Sequence, residues 1–97
     1  MNDDENRSLA LLEANHAFPG DFHLTVIALN SEDVTTALVQ SIEEVLPGPL
    51  PDGARETRSS SGGKYLSHRV RVPCAAAADV IRLYARVRQV SGVVTVL

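Results

Sequence analysis

The sequence predicts an α+β fold, a two-layer sandwich of the order βαββαβ with both helices on one face of an antiparallel sheet. Three observations carry this expectation. Apolar residues recur at helical spacing between Val34 and Val45. A Gly62-Gly63 pair sits between two runs of strand-like composition. The segments near Phe22 and at the C-terminal end have the alternation or β-branching of strands. With 97 residues and a hydrophobic content of 44%, the chain supplies one core. Aromatic residues make up 4%, so that core is built from Val, Leu, Ile and Ala.

In chain order, residues 1–17 read as a flexible polar tail, in which Leu9, Leu11 and Leu12 form a short helical turn at most. Residues 18–97 form the single domain. Phe22, Leu24, Val26 and Ala28 alternate on one face of a strand reaching Leu29, while Ile27 and Leu29 give its other face apolar character. Val34, Ala37, Leu38, Ser41, Ile42 and Val45 then make one helical stripe. Asn30 or Ser31 caps its start, Glu32 and Asp33 suit the positive end of its dipole, and Pro47, Pro49 and Pro51 stop it.

Residues 54–60 and 65–72 flank the hairpin signal. A two-residue Gly62-Gly63 turn sets Glu56 opposite Arg69 and Arg58 opposite Ser67. Leu66, His68, Val70 and Val72 share one face of the second strand; Tyr65, Ser67, Arg69 and Arg71 share the other. Pro73 is expected to end it. A second helix follows from Ala75 to about Gln89 with no strong cap, its stripe being Ala76, Val80, Leu83, Tyr84 and Val87. Gly92 breaks that helix before a last strand, Val93 to Leu97. Short right-handed connections turn this order into the ferredoxin-like arrangement, sheet order 4-1-3-2.

Three segments together resemble the YbeD-like family of small bacterial proteins. They are Phe18-Pro19-Gly20-Asp21-Phe22; Ser59-Ser60-Ser61-Gly62-Gly63-Lys64-Tyr65 with Ser67-His68-Arg69-Val70-Arg71-Val72; and Leu83-Tyr84 with Gly92 and Val94-Thr95-Val96-Leu97. The resemblance covers about Leu9 to Leu97. It implies a fold similar to the ACT regulatory domains of amino-acid metabolism, a regulatory role linked by gene neighbourhood and naming to lipoate metabolism, and no catalytic residues. ACT domains that bind amino acids usually carry a glycine between the first strand and first helix. The turn here, Ala28 to Asp33, has no glycine and two carboxylates, which leaves Asn30 and Ser31 as its candidate ligand-facing residues.

Chemistry that this fold supports elsewhere lacks its residues here. No arginine stands in residues 28–33 to hold a phosphate, and no Cys-x-x-Cys is present for a metal, since Cys74 is the single cysteine. Tyr65 alone replaces the aromatic pair that stacks RNA bases. His16, His23 and His68 lack the spacing of a metal pair, and no motif predicts a cofactor. A net charge of −3 gives no overall attraction to nucleic acid or anionic lipid. The acidic start predicts no secretion signal, and no segment is apolar enough for a membrane span, so a cytoplasmic protein is expected.

Two charged features remain. Arg58, Lys64, Tyr65, Arg69 and Arg71 are expected on the sheet face away from the helices, as a solvated face with Glu56 pairing Arg69 or as a site for an acidic partner. Self-association through the sheet is a further reading. The first helix carries Glu32, Asp33, Glu43 and Glu44, and the second carries Arg82, Arg86 and Arg88 against Asp79. Salt bridges between the helices are the plain account of that segregation, and docking of a partner or a second copy is the alternative. The sequence therefore predicts a non-enzymatic regulatory module that binds a protein or small ligand. The alternative is a nucleic-acid-binding accessory protein using the arginines of the sheet.

Overall fold

Alternation in the first strand decides how the molecule is layered. In the computed structural model, which describes residues 3–97, that strand is β1 (Gly20–Leu29), and Phe22, Leu24, Val26 and Ala28 are buried on one side of it. It lies between β3 (Tyr65–Cys74) and β4 (Val93–Val96), with β2 (Arg55–Ser59) outside β3. All neighbours are antiparallel, and the order β2-β3-β1-β4 is the ferredoxin-like one expected, read from the other edge. The helices α2 (Glu32–Glu43) and α3 (Ala77–Arg88) bring Leu38, Ile42, Val80, Leu83 and Val87 onto Leu24, Val26, Val70 and Val72. Each such side chain contributes roughly 1.5–3 kcal/mol when fully buried.

Local chemistry fixes the helix ends. The Ser31 hydroxyl accepts the Val34 N–H at 3.4 Å, which caps α2. The helix stops at Glu43, so Val45 reaches the core from the turn beyond, and the exposed Ala37 does not join the buried stripe. Glu43 Oε2 accepts the Leu50 N–H at 2.8 Å and ties the proline-rich loop to the helix. At α3 the N-cap is Ala76, an exposed residue rather than a member of the stripe. Asp79 closes this end from inside the helix, accepting the N–H groups of Ala75 at 3.0 Å and Ala76 at 3.2 Å. Gly92 is required where it stands: its φ is +96°, and a Cβ there would lie 2.6 Å from Val34 Cγ2.

Three expectations are corrected. Where a polar tail with one helical turn is predicted, the chain forms α1 (Asp3–Asn15); Met1 and Asn2 lie outside the described residues. Half-buried Leu9 and Leu12 share one side of α1, and Leu12 packs against the core beside α3, a surface made by residues far along the chain. The hairpin keeps the predicted register, Glu56 with Arg69 and Arg58 with Ser67, but its connection is longer than two residues. Ser60 pairs with Tyr65, Gly63 N–H bonds Ser60 O at 2.9 Å, and only Gly63 of the glycine pair has positive φ. Pro73 does not end β3, which runs to Cys74 opposite Gly20. Arg71 N–H points toward β2 and bonds Ala54 O at 2.8 Å. Two residues on, the missing N–H of Pro73 faces the same way, beyond the end of β2, where no ladder bond is lost.

Candidate functional site

The helices cover one face of the sheet and leave the other open. Alternation along β3 puts Tyr65, Ser67, Arg69 and Arg71 on the open face, and pairing adds Glu56 and Arg58 from β2 and His23, Thr25, Ile27 and Leu29 from β1. Arg58, Arg69 and Arg71 thus lie together on neighbouring strands, as predicted, with Lys64 at the end of the hairpin. The expected Glu56–Arg69 ion pair is not made, although the two residues stand directly opposite. Neither the Arg58 nor the Arg69 guanidinium has a hydrogen bond or ion pair among the described residues. Arg71 does have a partner, Asp21 Oδ2, at 3.6 Å across the β1–β3 pair. Lys64 Nζ lies 5.3 Å from the centre of the Tyr65 ring, a cation–π distance.

Shallow depressions mark this face. One is lined by His23, Thr25, Gly53, Glu56, Arg69 and Arg71, and another by Glu56, Arg58, Ser67 and Arg69. A third, by the hairpin, brings Ile27 and Tyr65 beside Ser59, Ser60 and Ser61. Sequence reasoning missed Asp21, His23 and Thr25 as members of the site. Alternation with Phe22 and Leu24 put them on the opposite face, but only the β1–β3 register, which sets His23 against Arg71, shows which arginines they meet.

The turn before α2 is occupied with structural work. Asn30 N–H bonds Lys64 O at 2.9 Å, and Asn30 Nδ2 bonds Gly63 O at 3.0 Å. Ser31 is the α2 cap. Both side chains considered for an ACT-like ligand therefore hold the chain to the hairpin loop or begin a helix.

His23 and His68 fall on adjacent strands but opposite faces, so they do not meet. His68 is fully buried; Arg55 Nη1 lies 3.4 Å from its Nδ1, and its Nε2 has no partner. Burial, and then the Arg55 charge, hold its pKa below the ordinary value. The Cys74 thiol is pushed up to about 11 by burial and by the Asp79 and Asp21 carboxylates, the opposite of a reactive cysteine. Among the described residues no cluster of His, Cys, Asp and Glu could hold a metal ion.

The charge segregation of the helices has intramolecular partners. Arg86 Nη1 meets Glu44 Oε2 at 2.9 Å, Arg82 meets Asp79 at 3.1 Å, and the Arg88 guanidinium lies 5.3 Å from the Tyr84 ring centre. Among the described residues no helix is long and apolar enough to cross a membrane.

A family model described as "Protein of unknown function (DUF493)" matches residues 13–97. The chain belongs to this family. It is also 30% identical over 80 residues to a "UPF0250 protein" of Shewanella piezotolerans (strain WP3 / JCM 13877), covering 82% of this chain and 88% of that relative. The YbeD-like resemblance is thereby borne out. The family match begins inside α1, at residue 13, and takes in the whole sheet.

Proposed function

We propose that this chain is a non-enzymatic regulatory module that presents its open sheet face to an acidic partner. The observation that carries the reading is the state of Arg58 and Arg69, two guanidiniums on an uncovered sheet with no acid engaged. A guanidinium placed this way offers a planar fork of donors that matches a carboxylate or phosphate in two bonds at once. Arg71, Lys64 and Tyr65 border them and supply further charge and apolar contact. The non-enzymatic part is supported by the groups that would have to act: His23 and His68 face apart, and the Cys74 thiol is held protonated. Lipoate metabolism, the setting implied by the family resemblance, is where the partner is sought first.

The test is capture from native cells with the wild type and with Arg69→Glu/Arg71→Glu, read by mass spectrometry. Thermal unfolding of both proteins first establishes that the variant is folded. The expected result is loss of a specific set of acidic proteins on charge reversal. A partner set unchanged by the double reversal overturns the assignment of the face.

A further inference from the structure

The edge of the sheet at β2 carries an inference distinct from the acidic-partner reading, although it draws on Arg58 of the same face. β2 is the outermost strand, and every residue from Arg55 to Ser59 is exposed. Ala54 O and Ser60 N–H bond across to β3, so the even-numbered residues between them turn their backbone groups inward. The N–H and C=O groups of Arg55, Thr57 and Ser59 therefore point outward, where the sheet has no further strand. No bulge interrupts the β2–β3 register and no proline stands in β2, two of the devices that commonly blunt such an edge.

The side chains say what fits there. The strand reads Arg55-Glu56-Thr57-Arg58-Ser59, with an acid and a base placed symmetrically about Thr57. We propose that β2 pairs antiparallel with β2 of a second copy of this chain about a two-fold axis at Thr57. The outward groups match that axis: Thr57 exchanges both backbone bonds with its own counterpart, and Arg55 exchanges its bonds with Ser59 of the second copy. Glu56 then stands opposite Arg58 of the second copy, and Arg58 opposite Glu56, in the close non-hydrogen-bonded positions where cross-strand charge pairs interact best. Both pairs lie on the open face. They give Arg58 the acid it lacks within its own chain and leave Arg69 of each copy free. An unrelated extended peptide would satisfy the same backbone groups, but only a second copy supplies complementary charge at both positions from the sequence in hand.

A short, polar edge pairing is a weak association, so the test runs from micromolar to millimolar protein at low salt. Sedimentation velocity follows the mass, and backbone amide shifts locate the contact. The expected result is a concentration-dependent dimer whose shifts centre on Arg55, Thr57 and Ser59. Glu56→Arg or Arg58→Glu alone sets like charges opposite one another and is expected to weaken the dimer by on the order of tenfold. The double swap Glu56→Arg/Arg58→Glu restores opposite charges and recovers it, although position 56 then carries a base beside Arg69 of its own chain. That recovery separates pairing across the axis from damage to the fold. A strict monomer throughout, shifts centred on the helices, or a double swap as weak as the single variants overturns the proposal. Arg69 and Arg71 are untouched in this series, so its failure is distinct from failure of the acidic-partner reading.

Discussion

His68 shows at the residue scale how much one buried nitrogen can change. Arginine only donates, so Arg55 Nη1 at 3.4 Å makes His68 Nδ1 the acceptor and leaves the hydrogen of the neutral ring on Nε2, facing no partner. Because burial and Arg55 lower its pKa, the folded state keeps the ring neutral where the unfolded chain protonates it. As pH falls below about 6.5 the unfolded state binds the extra proton, and stability declines until the lower folded-state pKa is passed. His68→Leu removes both the unpaired group and the proton uptake. It is expected to gain about 1 kcal/mol at neutral pH and to flatten this acid limb, as read by urea unfolding at pH 7.5 and at about pH 5. An acid limb of unchanged slope in the variant assigns the effect to other groups. Cys74 gives a second residue-level expectation. With its thiol raised to about 11 and its side chain buried, alkylation by iodoacetamide near neutral pH is slow in the folded protein and fast in urea. Equal rates in the two conditions would contradict the burial.

At the scale of elements, α3 offers the clearest lever, because its N-cap is a residue that cannot cap. Ala76 has extended dihedrals, φ −150° and ψ 161°, and no side-chain bond to the helix. Ala76→Ser adds an acceptor there and is expected to stabilise by about 0.5–1 kcal/mol, while Asp79→Ala removes the acceptor of two N–H groups and costs about 1 kcal/mol. Chemical denaturation of the two single variants measures both; equal stability of Asp79→Ala and wild type would mean that water serves those amides as well. This helix also shows what was legible. Its core positions Val80, Leu83 and Val87 follow from spacing alone, whereas its start does not, since the cap works backward from the third helical residue. The same division holds elsewhere. α2 and the hairpin register are readable because stripe and alternation are local patterns. α1 is not readable as a full helix, because what stabilises Leu12 is contact with Phe22 and α3 rather than anything in residues 3–15. The end of β3 is not readable from Pro73, because proline is harmful to a strand only where its missing donor faces a neighbour.

For the whole molecule the governing fact is that one sheet has a covered face and an open one, and sequence makes the faces but not their neighbours. Alternation separates Leu24 and Val26 from Thr25 and Ile27, yet only the pairing of β1 with β3 gathers His23, Thr25, Arg69 and Arg71 into one surface. The candidate site is therefore half legible: its arginines are visible in the two strands of the hairpin, its neighbours on β1 are not. This asymmetry has a direct energetic consequence. Leu24 is 1% exposed and packs in the core between sheet and helices, so Leu24→Ala is expected to cost about 2–5 kcal/mol. Ile27 is half-buried on the open face, and Ile27→Thr keeps β-branching while losing little packing, so a change within about 0.5 kcal/mol is expected. Urea unfolding across a range of protein concentration compares the two. If Ile27→Thr costs as much as Leu24→Ala at every concentration, something within the chain covers the open face, and the acidic-partner reading loses its surface. If its cost grows with concentration, a second copy covers that face instead, and the paired β2 edges are not the main contact between copies. A small and concentration-independent cost leaves the face free for a different partner, with the arginines of β2 and β3 as the groups that meet it.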